Sequence, residues 1–213
     1  MFIDLHVHTK PLSSDSVMDV EEAIQEAKRI GLDGLCLTEH NKVWKAEDIS
    51  RLREKWDFLL LRGVEVETSE GHILVFGVHQ DFEGVVPLDE LRELVTREGG
   101  VMVAAHPFKG FLVFTSVRLG MDPEQVAKRP VFQKVDLIEG FSGRLNKDEN
   151  GLAQEVGRRL GMKSTGGSDA HSLKHLGKCV TIFEKRITSE AEFLSELKMG
   201  RFEAGYFARK GAR

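Results

Sequence analysis

Residues 2–30 read FIDLHVHTKPLSSDSVMDVEEAIQEAKRI, and the change of pattern inside this stretch decides the fold class. Phe2–Val7 is a short, largely apolar run of strand length. From Val20 onward, apolar and small residues recur as Val20, Ala23, Ile24 and Ala27, the spacing of one helix face, which predicts a helix over Val20–Ile30. Gly31 supplies the stop. A strand followed by an amphipathic helix makes one β/α unit.

The unit repeats outward along the chain. Gly34–Thr38 reads as the next buried strand and Ala46–Trp56 as the next helix. Asp57–Glu67 and His72–Val78 read as neighbouring strands joined by the turn Ser69-Glu70-Gly71. Leu88–Glu98 is a helix that Gly99-Gly100 ends before a strand over Val101–Ala105. Val135–Glu139 and Met162–Thr165 are further strands, separated by a helix across residues 146–160. A strand at Cys179–Phe183 and a helix at Ser189–Met199 complete the series. Tyr206–Arg213 reads as a loose, basic tail. Gly110–Lys134 is the least regular part, expected as an insertion or lid. The alternation predicts one α/β domain over residues 1–205 with a largely parallel sheet, and seven or so strands suit a barrel better than an open sheet.

A net charge of -4 argues against a general nucleic-acid binder, which usually carries a basic stripe. It leaves nucleic acid open as a substrate, because divalent metals would reverse the local potential. No apolar run reaches the length of a membrane span. Met1-Phe2-Ile3-Asp4 lacks the basic-then-apolar order of a secretory signal, so the expected location is cytoplasmic. Cys36 and Cys179 lie in separate apolar stretches and read as buried, reduced thiols.

Most of the 8 histidines stand where a predicted strand is about to end. His6 and His8, two apart, leave a strand from the same face, so one ion could take both imidazoles. Alone, such a pair is more often surface or core histidine. Asp169 and His171 repeat the spacing in Gly166-Gly167-Ser168-Asp169-Ala170-His171, although Asp169 alone reads equally as a helix N-cap. His40 ends one strand, Glu65 is an acid inside an apolar strand, His72 opens the next, and His106 precedes the strand-breaking Pro107. In a β/α barrel these ends meet on one rim. So many ionisable groups gathered there need a compensating charge, which divalent metals supply.

Six segments now resemble the PHP family, named for polymerase and histidinol phosphatase. They are Asp4-Leu5-His6-Val7-His8-Thr9, Thr38-Glu39-His40-Asn41, Gly63-Val64-Glu65-Val66, His72-Ile73-Leu74, Ala105-His106-Pro107 and Gly167-Ser168-Asp169-Ala170-His171. The resemblance implies a distorted (β/α)7 barrel holding two to three divalent metal ions. By position, His6, His8, Glu65 and Asp169 would hold the first metal. Glu65 would bridge to a second, completed by His72 and His106, and Asp15, His40 and His171 would hold a third. Glu39 departs from the aspartate common before His40 in the family. His79 and His175 match no ligand position. Lys109 and Arg144, which follow the fifth and sixth strands, could hold substrate phosphate, or be plain solvated charges.

Histidines mixed with carboxylates suit zinc, manganese or iron. A water bridging two such metals loses its proton near neutral pH and becomes the nucleophile, with Glu65, Asp169 and His171 as the catalytic set. The expected activity is hydrolysis of phosphate esters. The substrate would be a phosphomonoester, a nucleotide or an oligonucleotide end, and histidinol phosphate is the narrower alternative. A non-catalytic metal-binding scaffold, or an amidohydrolase-type enzyme attacking carbon, are the competing classes.

Overall fold

The structure is a computed structural model and describes residues 1–109 and 122–208. Its elements are β1 (Phe2–Val7), α1 (Val20–Ile30), β2 (Gly34–His40), α2 (Ala46–Trp56), β3 (Leu59–Thr68), β4 (Gly71–Phe76), α3 (Leu88–Glu98) and β5 (Val101–Ala104). They continue with α4 (Pro123–Val126), α5 (Pro130–Lys134), β6 (Leu137–Ser142), α6 (Lys147–Leu160), β7 (Ser164–Gly167), β8 (Cys179–Phe183), α7 (Glu190–Met199) and β9 (Phe202–Tyr206).

Local chemistry sets the helix limits. Asp19 caps α1 by accepting from the Glu21 N–H, and Gly31 ends it at φ 91, a conformation that favours glycine. Asn146 and Glu149 form a reciprocal capping box at the start of α6. Val20, Ala23, Ile24, Ala27 and Ile30 turn inward from α1 and pack with Leu35, Leu37 and Leu60 of the sheet. Each of the larger side chains contributes roughly 1.5–3 kcal/mol by leaving water.

One sheet takes the strands in the order β7-β6-β5-β4-β3-β2-β1-β8-β9. β1, β2 and β3 pair in parallel, as do β5, β6 and β7, while β4 and β8 run against their neighbours. The sheet is therefore more mixed than the sequence pattern predicts. β7 returns toward β1: Val7 bridges Ala170, and the His8 N–H donates to the Ala170 carbonyl at 3.0 Å. This contact nearly closes the barrel, as expected for a distorted (β/α)7 arrangement.

Two parts of the sequence reading change. Tyr206, expected in the loose tail, ends β9, and its ring stands edge-on to Phe141 at 5.5 Å. The remainder of that tail, from residue 209, lies outside the described residues. In the segment expected as an insertion or lid, residues 110–121 also lie outside them. From residue 122 onward, α4 and α5 bury Val126, Val131 and Phe132 in the core, so this portion packs as barrel wall.

The rim that matters lies at the C-terminal ends of β1, β2, β3, β5, β6 and β7, which all run the same way. β4 runs the other way, so its first residues, not its last, reach this rim. That direction is what brings His72 beside the others. Cys36 and Cys179 are buried and unpaired. Among the described residues, no helix is long and apolar enough to cross a membrane.

Candidate metal centre

A β-bulge in β1 begins the site. Asp4 lies opposite Leu35 and Val7 opposite Leu37, so the strand carries one residue more than its partner. Bulges re-aim side chains, and the displaced Val7 N–H is taken by the Thr38 hydroxyl at 3.1 Å. His6 and His8 are both fully buried at this point. β6 has a second bulge, between Glu139 and Phe141. His106 and Asp169 adopt left-handed backbone conformations, φ 27 and 49, which cost a non-glycine residue roughly 1–3 kcal/mol.

Glu65 is the hub. Its Oε1 faces His106 Nε2 at 2.9 Å, His72 Nδ1 at 3.0 Å and His6 Nε2 at 3.3 Å. Its Oε2 faces His40 Nδ1 at 2.9 Å and His8 Nε2 at 3.4 Å. Asp169 Oδ1 lies 3.4 Å from His8 Nε2 and 3.8 Å from His6 Nε2. On the outer side, Asp15 Oδ2 meets His171 Nε2 at 3.0 Å and His40 Nε2 at 3.2 Å. All nine expected ligand positions thus share one cluster. His40 stands between two of the expected groupings, with one ring nitrogen turned to Glu65 and the other to Asp15.

The donor set fits divalent ions. His6 Nε2 and His8 Nε2 are buried without any hydrogen bond, although leaving such atoms unsatisfied costs about 1–3 kcal/mol each. Four overlapping triplets have ligand atoms within 4.8 Å of one another: His6/His8/Asp169, His6/Glu65/His106, His40/Glu65/His72 and His8/His40/His171. Imidazole nitrogen with carboxylate oxygen is the chemistry of zinc, manganese or iron sites.

The protein's own field shows the same strain. Burial disfavours the His6 imidazolium, yet Glu139, Glu65 and Asp169 around it raise its pKa well above the usual histidine value. Burial dominates at His8 and lowers its pKa to about 4. Burial also opposes ionisation of Glu65 and Asp169, but the surrounding imidazoles hold both carboxyls well below the usual range.

Lys109 and Arg144 reach the cluster from its solvent side. Lys109 Nζ donates to Asp169 Oδ2 at 3.0 Å, and Arg144 Nε lies 3.8 Å from the same oxygen. A cleft of about 430 Å³ opens beside Lys109, lined also by Glu70, His72, His106 and Arg129 among others. A larger cavity, about 900 Å³, lies around Met1, Lys28, Arg53 and Arg186 and contains none of the clustered donors. Size alone would pick the wrong one.

Two buried carboxylates, Asp4 and Glu139, escaped the sequence reading as parts of the site, and a third, Glu39, was noted there only as a departure from the family pattern. Glu39 accepts from the Thr9 N–H and the Trp44 Nε1–H, both at 2.8 Å, and from the Thr9 and Ser13 hydroxyls. The departure from aspartate therefore still gives a fully satisfied carboxylate, which braces the loop that carries Asp15. Burial nonetheless raises its pKa. Asp4 accepts from the Ser168 and Gly177 N–H groups, each at 2.8 Å, tying β1 to the Asp169 loop, and its burial raises its pKa to about 6. Glu139 bonds His6 and the backbone of His106. The available signal was an acid within an apolar strand, the same signal that marked Glu65. His79 pairs with Glu190 at 3.4 Å, and His175 bonds the Ser172 hydroxyl at 3.1 Å, so neither joins the cluster.

Residues 4–125 match the model of the PHP domain, and residues 147–202 match that of a PHP-associated region. The chain belongs to the PHP domain family. A probable histidinol-phosphatase of Thermotoga maritima is 25% identical over 99% of this chain and 97% of its own length. An uncharacterized protein of Methanocaldococcus jannaschii is 26% identical over 51% of this chain and 68% of its own. Among solved structures, a two-domain Bacteroides vulgatus protein containing a predicted PHP-like metal-dependent phosphoesterase superposes with a TM-score of 0.69. It is 22% identical, over 97% of this chain and 64% of that one. An endonuclease Q complex with abasic duplex substrate has a TM-score of 0.60 at 14% identity, covering 95% of this chain and 57% of that one. At these identities the solved structures speak for the fold of this PHP chain.

Proposed function

We propose that this chain is a metal-dependent hydrolase of phosphate esters, acting on phosphomonoesters, nucleotides or oligonucleotide ends. The observation that carries the reading is the convergence of nine nitrogen and oxygen donors beside two cations, Lys109 and Arg144, that share Asp169 Oδ2. His6, His8, Glu65 and Asp169 would hold one divalent ion, with His72 and His106 extending the site across Glu65 and His40, His171 and Asp15 extending it outward. Bound ions would supply Lewis-acid stabilisation of phosphate charge and lower the pKa of a water.

The chain's own residues do the rest. Lys109 and Arg144 are about two-fifths exposed, so a phosphate can reach both. Its oxygens would replace Asp169 as their acceptor, and Arg144 would add a fork of donors. The adjacent 430 Å³ cleft would receive the esterified group. Glu65, Asp169 and His171 are the catalytic set on this reading. Histidinol phosphate is the narrower substrate reading, favoured by the end-to-end match to the Thermotoga maritima protein.

The test is a panel of histidinol phosphate, nucleoside monophosphates, bisphosphates and short oligonucleotides, assayed with Mn²⁺ and with Zn²⁺. Asp169→Ala is expected to abolish hydrolysis and sharply lower bound metal. Full activity of that variant in metal-free buffer would overturn the proposal. A scaffold role would instead show as a wild-type protein that purifies with little metal and turns over nothing.

Lys109→Met and Arg144→Met separate phosphate binding from metal binding. Each removes a charge-assisted hydrogen bond worth about 1.5–3 kcal/mol. The expected result is a drop in kcat/KM of roughly 10–100-fold, mostly in KM, with metal content unchanged in elemental analysis. An unchanged KM in both variants would show these cations to be solvated surface charges.

A further inference from the structure

Glu139 lies in β6, fully buried, and each of its oxygens has a different task. Oε1 accepts from His6 Nδ1–H at 2.9 Å, and Oε2 accepts from the His106 main-chain N–H at 2.7 Å. An ionised carboxylate has no proton to give. The proton of this bond therefore sits on His6 Nδ1, and in the neutral imidazole that a metal requires the lone pair is then on Nε2, the atom turned toward Glu65 and Asp169. The second bond pins the backbone where His106 turns through its left-handed conformation to aim Nε2 at Glu65. Two residues expected as ligands of different ions thus rest on one side chain, 133 residues from one and 33 from the other.

The surroundings leave Glu139 little freedom. A Cβ built on Gly167 would lie 2.4 Å from His6 Cβ and 2.9 Å from Glu139 Oε1. Only glycine at 167 lets the closing strand pass this pair. The β6 bulge falls between Glu139 and Phe141. The same logic recurs at His171, whose Nδ1 meets an acceptor-only group, the Asp169 carbonyl, at 3.1 Å, so that in the neutral ring the Nε2 lone pair faces the side where Asp15 and His40 converge.

We propose that Glu139 is a positioning residue that presets the Nδ1–H form of His6 and the backbone turn of His106, and so preassembles the metal centre. The inference rests on the metal-centre reading above but not on the identity of the substrate. A partner of this kind behind a ligating histidine is worth roughly 10–100-fold in metal affinity.

The test is Glu139→Gln, which keeps the shape. An amide presents only one acceptor oxygen, so either His6 Nδ1–H or the His106 N–H must face an NH₂ group. Zn²⁺ affinity, measured by competition with a chromophoric chelator, is expected to fall roughly 10–100-fold. Wild-type affinity in the folded variant would overturn the proposal. Nitrogen NMR of zinc-loaded wild type with labelled histidine tests the same point without a variant that must fold. His6 is expected to show a protonated, exchange-protected Nδ1, and an unprotonated Nδ1 would sink the idea. Wild type that binds Zn²⁺ tightly but hydrolyses nothing would remove the proposed function and leave this inference standing. Wild type that takes up no Zn²⁺ would remove both.

Discussion

Glu65→Gln is expected to strip the centre of most of its metal and to lower phosphate-ester hydrolysis by roughly 10³-fold. One carboxylate faces five imidazoles at 2.9–3.4 Å, using both oxygens. Glutamine keeps the volume but removes the negative charge and replaces one oxygen with an NH₂ group, which has no lone pair to offer a metal. His106 and His72 crowd one oxygen, His40 and His8 the other, so either rotamer of the amide takes a ligand oxygen away from one side of the cluster. Losing Lewis-acid stabilisation worth several kcal/mol, about 4, corresponds to the stated factor at about 1.4 kcal/mol per tenfold. Elemental analysis and single-substrate kinetics on the same preparation check it. Near-normal metal content with near-normal turnover would mean that Glu65 does not bridge the cluster.

Most residues of this cluster were legible as candidate donors because they sit where a pattern breaks, whereas Asp15, in a serine-rich loop, was proposed only from the family resemblance. His6, His40 and His106 close apolar runs, and Glu65 interrupts one. What the sequence could not show was why His72 belongs with them, since it opens a strand. The antiparallel course of β4 supplies the reason. β9 was illegible because Phe202-Glu203-Ala204-Gly205-Tyr206 carries a small, weak strand former at each of two adjacent positions, and its pairing partner β8 decides the matter. Glu139 and Asp4 carried the same signal as Glu65, an acid within an apolar strand, but their roles were not legible. A buried carboxylate reveals itself by its hydrogen-bond partners, and those are contributed by chain far away, such as Gly177 for Asp4. The double orientation of His40 is of the same kind: residue type predicts a ligand, but only packing says which two neighbours its ring divides.

Chelation should destabilise the folded protein, and by more at higher pH. Ions that bind only the native state add about 4 kcal/mol when present at roughly 1,000 times their Kd. For a domain of this size, each kcal/mol moves Tm by about 2–4 °C, so removal is expected to lower Tm by roughly 8–16 °C. The pH dependence follows from the metal-free charges. His6 and His40 have folded pKa values raised above the ordinary histidine value: burial opposes this in each, but the acids around them prevail. Their contribution is fully present below about pH 6.5 and is lost as pH rises through the folded values. His8, lowered to about 4, contributes its slope below pH 6.5 and none above it. Above about pH 6.5 the chelated protein should therefore lose stability. The loaded protein should hold or gain it, because deprotonated ligands bind metal more tightly. Calorimetry with chelator and with Zn²⁺ or Mn²⁺ at several pH values reads the gap directly. A gap that narrows with rising pH would show that these histidines do not exchange protons for metal.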